Sequence, residues 1–154
     1  MTTDQTIDVA IIGGGPAGYA AAIYAARANL TTTVLEQGMS GGQIATRNEI
    51  ENYPGIPLLS GAELGERFQQ HAEGLGAQVE WSMVTGVDYD ADAGQFTIHH
   101  DMCDTAAKSV IACMGATPRP AGFVGEDTYR GRGVSYCATC DGMFFRGKQV
   151  FVIG

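Results

Sequence analysis

Residues 6–18 read TIDVAIIGGGPAG, and the fold follows from this stretch. The run Val9–Ile12 is short and apolar, which is typical of a central parallel strand covered on both faces. Gly13, Gly15 and Gly18 follow in G-x-G-x-x-G spacing. In that spacing the first glycine makes a tight turn, the second lets backbone approach a pyrophosphate, and the third lets the helix pack close to the strand. The stretch therefore predicts the strand, phosphate turn and helix of a dinucleotide-binding unit.

The residues after the turn support this interpretation. A helix is predicted from Ala17 to about Ala28, with Pro16 in its first turn and its free amides directed at the phosphates. A second strand, Thr31–Leu35, ends at Glu36, about 20 residues past the motif, where a carboxylate can accept hydrogen bonds from ribose hydroxyls. That acid disfavours a 2′-phosphorylated ribose. A glycine-rich turn can also be purely structural, but this order of elements favours a nucleotide site.

Composition narrows the class of protein. The 154 residues are 45% hydrophobic and 17% charged, which predicts a soluble globular chain of about one domain. Nine basic against 17 acidic residues give a net charge of −8, which disfavours a nucleic-acid partner. No apolar run approaches the ~20 residues of a membrane helix. Met1–Gln5 lack the positive start of a signal peptide, so we expect a cytoplasmic protein.

The middle of the chain predicts further regular elements. Gln37–Gln43 is too rich in glycine for a helix or a strand and predicts a loop, either contacting the nucleotide or simply flexible. Residues 48–55 predict a second irregular segment. Ser60 and Glu63 form a capping box, which predicts a helix to about Leu75. Strands are predicted at Gln78–Trp81, Met83–Tyr89, Gln95–His99 and Lys108–Cys113, with a hairpin turn at residues 91–94.

Two adjacent histidines, His99 and His100, fall at a strand end. Neighbouring strand residues face opposite sides, so these two cannot converge on one metal ion without help. We expect solvated histidines there, and the sequence predicts no metal site.

A domain boundary is predicted in the segment Gly115–Gly122, because its prolines and glycines interrupt any periodicity. The boundary divides the chain into residues 1–116 and 117–154. The apolar run Gln149–Ile153 resembles the first strand and stops at Gly154, where a second phosphate turn would begin. A parallel strand needs a crossover to rejoin its sheet, so we expect a fragment of a longer protein.

Cys137 and Cys140 form a Cys-x-x-Cys pair that admits three interpretations. A zinc site needs four ligands, and Cys103 and Cys113 supply no second pair with suitable spacing. A structural disulfide is disfavoured by the expected cytoplasmic location. A redox pair is favoured, because two intervening residues hold the sulfurs near bonding distance. Asp141 is then a candidate acid-base partner; it is also a candidate helix-capping aspartate, and both roles could hold. Cys103 and Cys113 are predicted to be ordinary, partly buried thiols.

Several of these motifs together resemble the low-molecular-weight thioredoxin reductases. The residues concerned are GGGPAGYAAA at 13–22, GGQ at 41–43, ENYPG at 51–55 and GRGVSYCATCDG at 131–142. The resemblance implies a Rossmann-like α/β FAD-binding domain of a two-dinucleotide-binding-domain flavoprotein, incomplete in this chain. It places residues 117–154 at the start of the nicotinamide-binding domain. It also implies a homodimer in which electrons pass from NADPH to FAD, then to the cysteine pair, and then to thioredoxin.

The resemblance also implies roles for individual residues. It makes Cys137 and Cys140 the redox disulfide, with Cys140 nearest the flavin and Asp141 the acid-base residue. The residues that it places around FAD are Gly13, Gly15, Pro16, Ala17, Gly18, Glu36, Gln37, Gly41, Gly42, Gln43, Asn52 and the backbone of Val84.

The chain departs from the family in two ways. It has Cys113-Met114-Gly115 where the family usually has Ala-Thr-Gly. It also stops before the nicotinamide site and the closing FAD strand, so we expect little NADPH-driven activity from these residues alone. The alternatives are a related flavoprotein, such as an alkyl hydroperoxide reductase flavin subunit, a ferredoxin-dependent reductase or a dithiol oxidase, and a non-catalytic FAD- or zinc-binding module.

Overall fold

The computed structural model describes residues 6–153. The chain divides into two compact units, with the division between Gly115 and Ala116. Within the described residues, no helix has both the length and the apolar character to cross a membrane. The predictions for Met1–Gln5 and for Gly154 lie outside the described residues. The assignment of the second unit to a nicotinamide-binding domain stays a prediction.

The described part of the first unit, residues 6–115, forms six strands and two α-helices, with one short 3-10 helix at Gly42–Thr46. In chain order they are β1 (Ile7–Ile12), α1 (Pro16–Arg27), β2 (Thr32–Glu36), α2 (Gly61–Gly74), β3 (Gln78–Trp81), β4 (Val84–Asp90), β5 (Gln95–His100) and β6 (Asp104–Ala112). The strands form one sheet in the order β3-β2-β1-β6-β5-β4. Strand β1 pairs in parallel with β2 and β6, and β2 with β3, whereas β4, β5 and β6 form an antiparallel meander. The predicted Rossmann-like α/β fold is confirmed.

Strand β1 is covered on both faces, as its continuous apolar sequence predicted. Val9 and Ile11 pack with the helices, in a cluster that includes Tyr19 of α1. Ala10 points to the other face and packs in a second cluster with Leu35 of β2 and Ile98 of β5. The meander therefore covers the sheet face that the helices leave open. Burial of each large apolar side chain contributes about 1.5–3 kcal/mol.

Most predicted boundaries agree with the structure. Helix α1 begins one residue earlier than expected, and the side chain of Ser60 caps α2 by accepting a hydrogen bond from the Glu63 amide at 3.2 Å. The loop prediction for Gln37–Gln43 was wrong at its end, because a 3-10 helix begins at Gly42 after Gly41 turns with φ 99°. Strand β6 begins at Asp104, four residues earlier than Lys108, because its first half pairs with β5.

The expectation of two solvated histidines was wrong for His100. Its side chain points inward and is completely buried, since alternate residues of a strand face opposite sides. His99 points outward between Asp88 and Asp104, at 3.0 and 2.9 Å from the two ring nitrogens. These hydrogen bonds, first to Asp88 and then to Asp104, raise the pKa of His99.

The second unit has little regular structure. It contains a short helix, α3 (Ala138–Asp141), followed by a 3-10 helix at Gly142–Phe145. The strand expected over Gln149–Ile153 does not form, and Val150 to Ile153 remain exposed without a partner strand in the described chain. Glu126 is the one buried residue among residues 116–153. Its carboxylate accepts hydrogen bonds from the amides of Ala121 at 2.8 Å and Gly122 at 2.7 Å.

Candidate functional site

The glycine turn after β1 contains three glycines that are needed for different reasons. Gly13 has φ 103°, and a Cβ there would lie 2.4 Å from the Cys113 carbonyl oxygen. A Cβ on Gly18 would lie 1.8 Å from the Gly13 carbonyl oxygen, so α1 could not pack as closely against the turn. A Cβ on Gly15 would meet nothing within 4 Å. Gly13 and Gly18 therefore serve packing, whereas Gly15 leaves one face of the backbone open to a ligand.

The N-terminus of α1 offers backbone donors at this open face. Its N-cap is Gly15, which has no side chain with which to cap the helix, and Pro16 occupies the first turn. That first turn carries no acidic residue. The free amides and the positive end of the helix dipole favour an anion there, and the phosphate of a nucleotide is the common ligand of such a site.

The carboxylate of Glu36 is part of the glycine turn. Its Oε2 accepts the Gly14 amide hydrogen at 2.5 Å, and its Oε1 accepts that of Gly38 at 2.7 Å. The residue is buried, so these bonds fix its orientation. Each carboxylate oxygen can accept more than one hydrogen bond, which leaves capacity for a ribose hydroxyl. The contact between Glu36 and a ribose stays a prediction.

The segment after Gln37 returns to the glycine turn. The Gly41 amide donates to the Gly14 carbonyl at 2.8 Å, and a Cβ on Gly42 would lie 3.4 Å from the Gly15 Cα. A Cβ on Gly115, at the end of the first unit, would meet the Gln43 side-chain nitrogen at 3.9 Å. The structure therefore brings most of the predicted FAD residues around one turn.

A pocket of about 430 Å³ lies beside this loop. Gly38, Met39 and Ser40 of the loop line it, together with residues of α2 and Trp81. Gly38 also donates its amide to Glu36, so the pocket adjoins the carboxylate predicted to bind ribose.

Two predicted FAD residues lie in other segments of the first unit. Asn52 is exposed in the irregular segment between Ile50 and Leu59, which is closed by their backbone pairing. Val84 begins β4, and its side chain packs against the cluster around Leu35. Within the described chain no hydrogen bond joins either residue to the glycine turn, and their contacts with FAD stay predictions.

A polar chain that the sequence pattern did not reveal fixes the loop to α1 and α2. The Ser40 hydroxyl donates to the Gln69 side-chain oxygen, so its lone pairs accept the hydrogen of Tyr19, with the two hydroxyls 2.8 Å apart. Burial raises the pKa of Tyr19, which keeps this phenol neutral and able to donate. Tyr19 occupies an apolar helix position, and only the serine at the end of a glycine loop could have suggested its partner.

Cys113 lies with its backbone against the glycine turn. Its amide donates to the Ile12 carbonyl at 2.8 Å, and burial raises the pKa of its thiol. A thiol held neutral is a poor nucleophile, so Cys113 has a packing role. Cys103 and Cys113 are both free and partly buried, as predicted. The next residue, Met114, is 70% exposed.

In the second unit Cys137 and Cys140 form a disulfide, with their Cα atoms 5.3 Å apart. Helix α3 begins directly after Cys137, and Asp141 ends it. The alternative of a capping role for Asp141 was wrong, because its carboxylate makes no capping hydrogen bond and instead accepts one from the Ser135 hydroxyl at 2.5 Å. The Cys137 amide also donates to the Ser135 oxygen, at 3.0 Å. Ser135 thus links Asp141 to the cysteine pair, a role that the sequence did not indicate.

The fold and these features define a class: a Rossmann-like α/β protein with a glycine turn for a dinucleotide and a Cys-x-x-Cys disulfide. Residues 7–154 match the family described as Pyridine nucleotide-disulphide oxidoreductase. The chain belongs to this family.

Several individual proteins that are similar to this chain are thioredoxin reductases. The chain is 40% identical to a thioredoxin reductase of Bacillus subtilis over 158 aligned positions, which cover 100% of this chain and 48% of that protein. It is 45% identical to a thioredoxin reductase of Peptoclostridium acidaminophilum, covering 98% of this chain and 48% of the relative. The crystal structure of Lactococcus lactis thioredoxin reductase superposes with a TM-score of 0.74 at 44% identity, covering 91% of this chain and 46% of that one. The chain thus spans about half the length of the curated relatives it matches.

Proposed function

We propose that the whole protein is a thioredoxin-disulfide reductase, in which electrons pass from NADPH through FAD to the disulfide of Cys137 and Cys140 and then to oxidised thioredoxin. One observation carries the proposal: the Cys-x-x-Cys disulfide, with Asp141 attached through Ser135, occurs in a chain whose glycine turn is open to a dinucleotide. The chain's similarity to thioredoxin reductases supports the choice of thioredoxin as substrate.

The residues around the glycine turn fit FAD. The open face of Gly15 and the amides of the first turn of α1 would hold the pyrophosphate, and Glu36 would orient the ribose. Gln37, Gly41, Gly42 and Gln43 would border the cofactor on the loop side. Bound FAD would supply the two-electron relay between a nicotinamide and a disulfide. The chain itself supplies the glycine turn that orients the cofactor and the cysteine pair that receives the electrons.

The proposed reaction at the cysteine pair is a two-electron reduction followed by thiol–disulfide exchange. Two electrons and two protons convert the Cys137–Cys140 bond into two thiols. The Cys137 thiolate then attacks one sulfur of the thioredoxin disulfide, which forms a mixed disulfide and releases the other thioredoxin sulfur as a thiol. Attack by Cys140 on Cys137 releases the second thioredoxin thiol and restores the Cys137–Cys140 disulfide.

Asp141 is the residue proposed to move the proton. It follows Cys140 directly and is linked through the Ser135 hydroxyl to the Cys137 amide. A carboxylate at this position could remove the proton of the attacking thiol and return a proton to the leaving sulfur. Ser135 is a positioning residue, since it holds the carboxylate at the end of α3.

The test is steady-state reduction of thioredoxin by the purified whole protein loaded with FAD, with NADPH or reduced ferredoxin as donor. Replacement of both Cys137 and Cys140 by serine should abolish thioredoxin reduction and leave flavin reduction by the donor intact. Cys113→Ser is the matched control and should retain turnover. Full turnover after loss of both pair cysteines would refute the proposal, and exclusive use of ferredoxin would change the donor only.

The remaining proposals concern the oligomeric state of the protein and its location in the cell. The protein is proposed to work as a homodimer in the cytoplasm, where thioredoxin keeps cysteine pairs reduced. Light scattering of the FAD-loaded whole protein tests the first point, and cell fractionation tests the second. A monomer with full turnover would remove the dimer from the proposal without affecting the chemistry.

A further inference from the structure

Three side chains that can bind metal ions meet in the first unit, away from the glycine turn. Glu80 lies on β3, His100 ends β5, and Cys103 lies in the turn before β6. Their donor atoms all lie within 4.8 Å of one another. The distance from the Glu80 Oε1 to the His100 Nδ1 is 3.8 Å, and from the Cys103 Sγ to the His100 Nε2 it is 4.0 Å. Glu80 is distant in sequence from the other two, so no ligand spacing is visible in the sequence.

His100 is the central member of this cluster, and one of its nitrogens lacks a hydrogen bond. Its side chain is completely buried, and its Nε2 shares a hydrogen bond with the Thr105 hydroxyl at 2.9 Å. Among residues 6–153 its buried Nδ1 has no hydrogen-bond partner, and 3.8 Å to Glu80 is too long for one. Buried polar nitrogens are almost always paired, so an unpaired one aimed at a carboxylate suggests a missing ligand.

The contact between Nε2 and the Thr105 hydroxyl leaves Nδ1 as the ring nitrogen without a hydrogen bond. When the Thr105 hydroxyl accepts the Nε2 hydrogen, the imidazole is neutral and its Nδ1 carries a lone pair. Histidines that bind metals commonly donate their other ring nitrogen to an oxygen in this way, which fixes the ring and its tautomer. Thr105 thus has the position of an outer partner to a metal-bound imidazole.

We propose that Glu80, His100 and Cys103 bind one divalent transition-metal ion of the zinc type. A thiolate, an imidazole and a carboxylate are the donors that zinc takes in proteins, and donor atoms around a tetrahedral zinc ion stand about 3.5 Å apart. The donor atoms lie within 4.8 Å of one another, so the side chains must close gaps of at most about 1.3 Å. The Glu80 side chain is 39% exposed, so water can reach the fourth position. Binding would displace the thiol proton of Cys103 to solvent and would join β3 to the β5–β6 turn.

The test is metal binding by the purified protein after chelation, with Cys137 and Cys140 both replaced by serine so that this pair cannot bind the ion. Titration with Zn²⁺ should give one equivalent of tight binding. Titration with Co²⁺ should give the visible bands of a tetrahedral site and a thiolate-to-cobalt charge-transfer band. Binding well below one equivalent, or a cobalt spectrum without the thiolate band, would overturn the proposal.

Single variants in that background identify the ligands. Cys103→Ser should remove the charge-transfer band and weaken Zn²⁺ binding by more than the ~10–100-fold that loss of an outer partner costs. Thr105→Val should weaken binding within that ~10–100-fold range and keep the band. If Cys103→Ser fails to fold, Glu80→Gln provides the ligand test, since its side chain is partly exposed and the substitution keeps its size.

Two matched controls separate this cluster from adventitious binding. Cys113→Ser removes the other free thiol, and His99→Asn removes the adjacent histidine, which lies between Asp88 and Asp104 on the outer face. Both should leave stoichiometry, affinity and the cobalt spectrum unchanged. Loss of binding in either control, or its retention in Cys103→Ser, would assign the ion to another part of the surface. None of these readouts depends on reductase activity.

Discussion

The two units obtain their order from different interactions. In residues 6–115, Ile11, Val34 and Leu35 are almost fully buried between helices and meander, whereas in residues 116–153 the buried residue is Glu126. The first unit is therefore held by apolar contacts across a sheet. The second unit is held instead by hydrogen bonds, among them those to the Glu126 carboxylate, and by the Cys137–Cys140 disulfide.

This difference bears on function. The apolar core places Gly13, Gly15 and Gly18 at the end of a rigid strand, which suits a site that must hold a large cofactor in one orientation. Cys140 lies on a four-residue helix without a buried side chain, and Cys137 directly precedes that helix. The redox role proposed for this pair requires the disulfide to be opened, attacked and closed again, and an exposed segment permits such rearrangement more readily than a packed core does.

The largest effect should come from the apolar core of the first unit. Leu35→Ala removes a side chain that is 1% exposed and should lower the free energy of unfolding by about 2–5 kcal/mol. Val124→Ala in the second unit truncates a fully exposed side chain and should change the free energy of unfolding by less than about 0.5 kcal/mol. Denaturant unfolding followed by circular dichroism measures both. Equal effects would contradict the distinction between the units.

The next largest effect should come from the glycines of the turn, where Gly18 is closely packed and Gly15 faces open space. Gly18→Ala places a Cβ against the Gly13 carbonyl and should destabilise the first unit by about 1–3 kcal/mol, despite the higher helix propensity of alanine. Gly15→Ala meets open space and should cost less than about 1 kcal/mol. Thermal unfolding without cofactor measures the first difference. FAD titration should show weaker binding for Gly15→Ala, because the added methyl group occupies the face proposed for the pyrophosphate.

Sequence reasoning succeeded where local pattern determines structure. The apolar run of β1, the glycine spacing and the Ser60 cap each specify their own conformation, and the structure has all three. It failed where a residue's environment is created by distant segments. The burial of His100 depends on the curvature that brings the meander over β2 and β3, and nothing next to His100 in the sequence indicates this.

Some residues of the candidate site are likewise indicated by the local sequence, and others are not. The positions of the glycines and of Glu36 could be predicted because a dinucleotide-binding unit has its phosphate turn and its ribose-binding acid at fixed spacing, and the disulfide could be predicted from two intervening residues. Ser135 could not, since its importance comes from a hydrogen bond to Asp141 across six positions of irregular chain. The run Gln149–Ile153 was apolar enough for a strand, but a strand also requires a neighbour with which to pair.

In the second unit, removal of the buried carboxylate should have a local effect. Glu126→Gln should reduce hydrogen-exchange protection of the Ala121 and Gly122 amides by roughly tenfold, because a charged acceptor is replaced by a neutral one. Protection of β1 and β2 amides should not change. Tyr136→Phe removes one donor to Glu126 and is expected to have a smaller effect in the same place. Loss of protection throughout the chain would show that the units do not open separately.

Lowering the pH should reproduce the local loss of hydrogen-exchange protection expected for Glu126→Gln. The hydrogen bond from the Tyr136 hydroxyl, followed by those from the Ala121 and Gly122 amides, holds the pKa of Glu126 below its usual value of 4.5. A lowered pKa means that the carboxylate form stabilises the folded unit above pH 4.5 and that this contribution is lost as pH falls through the lowered value. Protection factors of the two amides should fall across that window, and those of Glu126→Gln should not.

The smallest effect should come from a partly exposed carboxylate in the first unit, that of Asp8. Asp8 accepts hydrogen bonds from Lys108 and from the amide and hydroxyl of Thr31, each at 2.8 Å. The Lys108 bond, and then those of Thr31, lower the pKa of Asp8 from 3.8 to about 2. Its contribution to stability is therefore complete above pH 3.8 and disappears as pH falls towards 2.

Asp8→Asn should accordingly unfold at a slightly lower denaturant concentration than the parent at neutral pH, and the two midpoints should converge as pH falls towards 2. The difference should be small because exposed ion pairs contribute little and salt screens them. Glu51→Gln, which removes an exposed carboxylate of the same unit, controls for the change in net charge. A difference in denaturant midpoint that persists at low pH would show that Asp8 stabilises the unit through the packing of its side chain rather than through its charge. Convergence, together with acid loss of protection around Glu126, would show that charge is secondary to apolar packing in the first unit and primary in the second.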